Sequence, residues 1–192
     1  MWSNLVICAT VLTFSAVTFA SAQEFQYFRD VFRASIQHAE NKESRVNKFV
    51  YNNCGHPETD VFNLTSIIVR PDPIKLPGKV TLGASFAFRE TATSPIRLQV
   101  EMDVRSGDQW QKLPCIEQVG TCTYDDICEL LASQIPQCKS CQCPFPKGNY
   151  SFPATTVDIP LPLVPPGDYR IKAVFTNAEK PGACIELIIS FD

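Results

Sequence analysis

Apolar and polar residues alternate one for one over residues 96–105. Ile96, Leu98, Val100, Met102 and Val104 interleave with Arg97, Gln99, Glu101, Asp103 and Arg105. A period of two predicts a strand with one buried and one wet face. The pattern recurs in Val80, Leu82, Ala84, Phe86 and Phe88, in Tyr169, Ile171, Ala173 and Phe175, and in Ile185, Leu187, Ile189 and Phe191. Phe62, Leu64, Ser66 and Ile68 repeat it more weakly. Turn pairs separate these runs: Pro77-Gly78, Gly107-Asp108, Pro166-Gly167 and Pro181-Gly182. Strands that follow one another through short turns pair antiparallel. Residues 49–192 are therefore expected to form an all-β, two-sheet sandwich or cup of seven or eight strands. One short helix interrupts it. Thr123-Tyr124-Asp125-Asp126 resembles a capping box with Asp in the place of Glu, leading into residues 127–135 before Pro136. The two carboxylates suit a helix N-terminus, where negative charge is favoured.

The first 48 residues follow other rules. Residues 5–20 are a nearly unbroken apolar run, and Ala20-Ser21-Ala22 is a small-x-small cleavage site. Residues 1–22 are expected to be a secretory signal peptide, although Met1-Trp2-Ser3-Asn4 carries no Lys or Arg. The alternative is a retained anchor, for which the run is short. Residues 23–48 hold charge but no Gly, Pro or Cys, and Phe25, Phe28, Phe32 and Ile36 would share one helical face. They form an N-terminal extension or pro-segment, either a frayed tail or a membrane-surface helix.

Composition narrows the chemistry. Of the 9 cysteines, Cys8 leaves with the signal. Cys54, Cys115, Cys122, Cys128, Cys138, Cys141, Cys143 and Cys184 remain, an even set that predicts four disulfides on an exported chain. Their spacing alone leaves on the order of a hundred connectivities. Cys138-x-x-Cys141-x-Cys143 also has the look of a zinc or redox site, but export favours disulfides. Asn63-Leu64-Thr65 and Asn149-Tyr150-Ser151 are glycosylation sequons. A net charge of −3 gives no reason to expect a nucleic-acid partner. The 2 histidines are His38, in the extension, and His56, in a turn, so neither suits a nucleophile–base pair. No phosphate loop is present, and no cofactor or metal is expected. A pair of carboxylates brought together by the fold, as in a glycosidase, stays open at this stage.

Apolar surface in unusual places is the remaining signal. Ile159-Pro160-Leu161-Pro162-Leu163-Val164-Pro165-Pro166 has no charge, and its prolines make a poor central strand. It is either an extended cover on the core or a semi-rigid lip that touches lipid. In the second case Ile159, Leu161, Leu163 and Val164 would contact lipid, as would Phe86, Phe88 and Tyr169 on the inner strand faces. Pro71-Asp72-Pro73-Ile74-Lys75-Leu76-Pro77-Gly78 is a second, more polar extended segment.

From about Tyr51 to Asp192 the chain resembles the lysosomal activator branch of the ML lipid-recognition family. Matching pieces occur in order. They are Asn53-Cys54, Pro71-Asp72-Pro73-Ile74, Pro77-Gly78 with Val80-Thr81-Leu82, Trp110 with Lys112, Pro114 and Cys115, and Gly120-x-Cys122-Thr123. Cys128, Cys141-x-Cys143-Pro144-Phe145, Gly148-x-Tyr150-Ser151, Gly167-x-Tyr169-Arg170-Ile171 and Cys184-Ile185 follow. The resemblance does not reach residues 23–48. It implies a non-enzymatic β-cup around an apolar cavity, with pairs Cys54–Cys184, Cys115–Cys122, Cys128–Cys143 and Cys138–Cys141. It implies a protein of the lysosome or extracellular space that extracts a glycosphingolipid such as a ganglioside, binds membranes transiently, and presents the sugar to a hydrolase such as β-hexosaminidase. Two departures stand out. Leu163 replaces a tryptophan of the apolar loop, and Lys79 replaces the asparagine of a sequon. A general carrier of sterol, fatty acid or phospholipid with no enzyme partner is the alternative, and an eight-cysteine secreted hydrolase is the third.

Overall fold

The computed structural model describes residues 49–116, 118–134, 142–159 and 165–192. Among them the strictest alternation forms the centre of the larger sheet. In β4 (Ile96–Ser106) the apolar row Leu98, Val100, Met102, Val104 pairs antiparallel with Phe175, Ala173, Ile171 and Tyr169 of β8 (Gly167–Asn177). The row continues through Ala183, Ile185, Leu187 and Ile189 of β9 (Lys180–Phe191). Three short strands complete a six-stranded sheet: β1 (Val50–Asn53) beside β9, and β5 (Gln109–Lys112) and β6 (Thr123–Tyr124) beside β4. On the outer face, Arg170 donates two hydrogen bonds to the Asp103 carboxylate (3.0 and 2.7 Å) and lies over the Trp110 ring.

The smaller sheet is β2 (Phe62–Arg70), β3 (Gly78–Phe88) and β7 (Gly148–Ile159), in the order β2-β3-β7. Both outer strands bulge beside the same stretch of β3. On β2 an extra residue falls between Leu64 and Ser66. On β7 one falls between Phe152 and Thr155, which oppose Ala84 and Leu82. A bulge bends its strand and reverses which residues face inward beyond it. Phe62 and Leu64 thus share a row side with Ile67 and Val69, opposite Ala84 and Leu82. Ile68, expected on the inner face from the weak alternation, lies opposite Gly83 instead and is 41% exposed. Gly83 suits the approach of β7, since a Cβ there would lie 3.0 Å from the Ala154 Cα.

The two apolar faces meet fully at one end only. Ile74, Val80, Met102, Val104, Leu113, Tyr169 and Ile189 form a closed core there. Tyr169 is fully buried. Its hydroxyl donates to the Pro165 carbonyl at 2.9 Å, and burial pushes its ionisation well above the usual phenol range. Away from this end, Leu98, Val100, Ala173 and Leu187 are only half-buried although they face inward. Interiors close-packed throughout would bury such a row.

Among the described residues three disulfides brace the shell. Cys54–Cys184 spans 130 residues, Cys115–Cys122 spans 7, and Cys128–Cys143 spans 15. Cys138 and Cys141 lie outside the described residues, as do residues 1–22, expected to be a signal peptide, and residues 23–48, expected to be an extension. The buried Asp60 carboxylate accepts from the His56 backbone N–H (2.8 Å) and packs on Gly55, ordering the turn beside Cys54.

Two local expectations are corrected. The helix, α1 (Ile127–Gln134), is not capped by Thr123, which belongs to β6. Asp126 is the cap: its carboxylate accepts from the Cys128 N–H (2.9 Å), the Ile96 N–H (3.0 Å) and the Ser94 hydroxyl. The β8–β9 hairpin turns at Ala178-Glu179, both at positive φ, and Pro181-Gly182 lies within β9. Gly182 is needed there because a Cβ would come 2.9 Å from the Phe175 carbonyl oxygen. Partial burial works to raise the Asp126 pKa, but the three hydrogen bonds outweigh it and hold it below the ordinary 3.8. A depressed carboxylate stabilises the fold above its unfolded pKa and loses that effect as pH falls through its folded value. Asp126→Ala should therefore cost about 0.5–1 kcal/mol at pH 5, the low end for an exposed cap. That difference should shrink below pH 3.8. Urea unfolding of both proteins across this range checks it.

Candidate functional site

At the end opposite the closed core, a cavity of about 330 Å³ separates the sheets. Six phenylalanines line it: Phe62 from β2, Phe86 and Phe88 from β3, Phe152 from β7, Phe175 from β8, and Phe145 from the segment before β7. The cross-strand pairs Phe62↔Phe88 and Leu64↔Phe86 place these rings on one face. Helix α1 contributes Ile127 and Leu131, and Cys128–Cys143 ties that helix to the Phe145 segment. Buried Val61, Ala92 and Ile96 form the floor.

The rings support one another rather than fill the space. Phe88 stacks on Phe145 (centroids 5.2 Å), Phe62 meets Phe86 (5.0 Å), and Phe62 bridges to Phe175 of the other sheet (5.6 Å). Such spacings are those of favourable aromatic pairs. Among the described residues no charged side chain lines the cavity, and the one amide that does, Asn177, is buried and donates to the Thr93 and Pro95 carbonyls. Phe152, 43% exposed, stands at the rim. The described residues of the lining offer chiefly apolar contact. Its volume is at the low end of the ~300–1,000 Å³ typical of small-ligand sites and suits a hydrocarbon chain. Among the described residues no cluster of His, Cys, Asp or Glu could hold a metal ion.

Of the side chains proposed from sequence to touch lipid, Phe86 and Phe88 line this cavity. Ile159 packs against the closed core, and Tyr169 lies within it. Leu161, Leu163 and Val164 lie outside the described residues. Phe62, Phe145, Phe152, Phe175, Ile127 and Leu131 also line the cavity, and no local sequence pattern marks them as a site. The available signal was the count of 13 phenylalanines, six of which converge here.

A profile of the ML domain matches residues 48–191. The ganglioside GM2 activator of Mus musculus is 31% identical over 162 residues, covering 77% of this chain and 83% of the relative. That of Macaca fascicularis is 29% identical over 161 residues, covering 76% and 84%. Among solved structures, a Niemann-Pick type C2 protein from the Japanese carpenter ant aligns with a TM-score of 0.44 at 16% identity, over 74% of this chain and 99% of that one. Chicken MD-1 complexed with lipid IVa aligns with a TM-score of 0.43 at 16% identity, over 74% and 88%.

Proposed function

The chain belongs to the ML domain family, and from that premise we propose that it is a non-catalytic, lysosomal or secreted lipid activator. It lifts a glycosphingolipid of the ganglioside type from a membrane and presents the sugar to a glycosidase such as β-hexosaminidase. The observation that carries this reading is the uncharged cavity walled by six phenylalanines. The relatives named ganglioside GM2 activator support the choice of lipid.

The energetics explain why a cavity is needed. Removing an acyl chain of about 16 carbons from a bilayer exposes hydrocarbon worth roughly 0.8 kcal/mol per methylene, on the order of 12 kcal/mol in all. Water cannot offset that, and apolar walls can. The sugar head has no partner in an uncharged pocket, so it stays outside, within reach of a hydrolase. The same lack of head-group contacts favours a second reading, a general carrier selective for chains rather than heads.

The apolar segment after β7 is proposed to meet the bilayer. Leu163→Asp should weaken extraction of lipid from vesicles about tenfold or more, since each apolar side chain withdrawn from water is worth roughly 1.5–3 kcal/mol. Its melting temperature should stay near that of the wild type. A large drop in melting temperature with unchanged extraction would place Leu163 in the core instead. The reading as a whole is tested by adding the protein to hexosaminidase and ganglioside-bearing vesicles. Faster sugar release is expected. No stimulation, with lipid still bound, would leave the carrier reading.

A further inference from the structure

The smaller sheet has an unprotected side. Among the described residues no strand pairs with the outer edge of β7, and every residue from 151 to 158 is exposed. Long open edges template pairing between copies, and proteins commonly guard them with charge. Here charge is missing from most of the sheet. On β2, β3 and β7 the charged residues are Arg70, Lys79 and Asp158, all at one end, with Lys79 opposite Asp158. The outer face between them is uncharged and, Ile68 apart, made of small residues. Thr81 and Thr156 share a hydrogen bond (2.8 Å), as do Ser85 and Ser151 (3.3 Å), and Thr65 donates to the Ser85 carbonyl (2.8 Å).

Both sequons fall on this face, at the end away from those three charges, with Lys147 and the Arg89-Glu90 pair just beyond the strands. Asn63 and Asn149 each oppose Ala87, so the three stand in one row across the sheet. Their neighbours Phe62, Phe86 and Phe88 face the cavity, and alternation turns Asn63, Ala87 and Asn149 the other way. The two asparagines are separated by one strand, about 10 Å. One lies on each outer strand of the sheet. On β2 the Thr65 carbonyl already accepts from the Tyr51 hydroxyl (3.1 Å), so β7 is the more open edge.

We propose that Asn63 and Asn149 carry a pair of N-linked glycans that shield this face and stop copies of the chain from pairing through β7. The donor is a lipid-pyrophosphate-linked oligosaccharide. A bond forms from the asparagine amide nitrogen to the sugar's anomeric carbon as that carbon's bond to the pyrophosphate oxygen breaks. The amide gives up one proton and the lipid pyrophosphate leaves. The bulge and Pro153 interrupt the middle of β7, and the glycan at Asn149 guards the stretch before them.

The inference rests on the export reading, and the experiment separates the two. The full chain and its sequon variants are expressed in secreting animal cells, and the medium is analysed by intact mass and light scattering. Two glycan masses are expected on the wild type, one on Asn63→Gln or Asn149→Gln, and none on the double variant. The wild type should be monomeric. Asn149→Gln, Ser151→Ala and the double variant, which lose the glycan without gaining a charge, should associate into dimers or larger species while still binding a fluorescent acyl probe. Secretion with fewer than two glycans, or a monomeric double variant, would overturn the inference and leave export standing. Retention of an unglycosylated chain in the cytosol would overturn both.

Discussion

Cells making the Cys184→Ser chain should secrete little or none of it. Cys54–Cys184 closes a loop of 130 residues, and in the chain-entropy picture a loop of that size is worth about 5 kcal/mol. Domains of this size have only about 5–15 kcal/mol in total. This domain can lose less than most, because its inner rows are half-buried around a cavity. The bond also anchors β1, a strand of 4 residues paired only with β9. The shorter loops predict a graded series. Cys128–Cys143, which spans 15 residues, should contribute about 3 kcal/mol in the same picture. Cys115–Cys122, which spans 7, should contribute about 2 kcal/mol. Secretion yield and chemical denaturation of the three paired-serine variants check the order. A Cys54→Ser/Cys184→Ser protein secreted and melting like the wild type would contradict it.

Phe152→Asp should keep the fold and lose the lipid. Phe152 is 43% exposed, on an edge strand beside a bulge, so its replacement should cost less than about 1 kcal/mol of stability. Its ring also lines the cavity and lies 5.6 Å from Phe86. Removing it forfeits roughly 1.5–3 kcal/mol of apolar contact with a bound chain, and the new carboxylate would be desolvated by that chain. Affinity for a fluorescent fatty-acyl probe should fall by about tenfold to a hundredfold or more. Ile68→Asp is the matched control. Ile68 is similarly exposed at 41% but lies opposite Gly83, off the inner face. It should leave probe binding unchanged. Equal affinity of the Phe152→Asp and wild-type proteins would remove the cavity from the account.

Strands β4, β8 and β9 were legible because their pairing runs with little interruption, so period-two alternation survives along them. Strand β7 was not recognised. Its inward residues change parity at the bulge, from Tyr150 and Phe152 to Thr155 and Val157, and Pro153 stands between. The bulge in β2 misassigned Ile68 for the same reason. Asp126 was read as favouring the helix N-terminus, but its bonds to Ser94 and Ile96 join segments 30 residues apart or more, which no local pattern can express. The cavity was the hardest feature. An inward phenylalanine leaves the same mark in the sequence whether its face is covered or hollow. Phe86 and Tyr169 both sit in clean alternations, yet one lines the cavity and the other fills the closed core. Disulfide pairing came from the family resemblance, since spacing left the connectivity open.

The central claim is that the six-phenylalanine cavity holds a lipid chain. It is tested most directly by mass spectrometry of the native protein purified from a secreting host without detergent. The expected result is a stoichiometric acyl lipid, released under denaturing conditions and absent from Phe152→Asp purified in parallel. A wild-type protein that is folded, monomeric and free of lipid, and that takes up none from vesicles, would contradict the account.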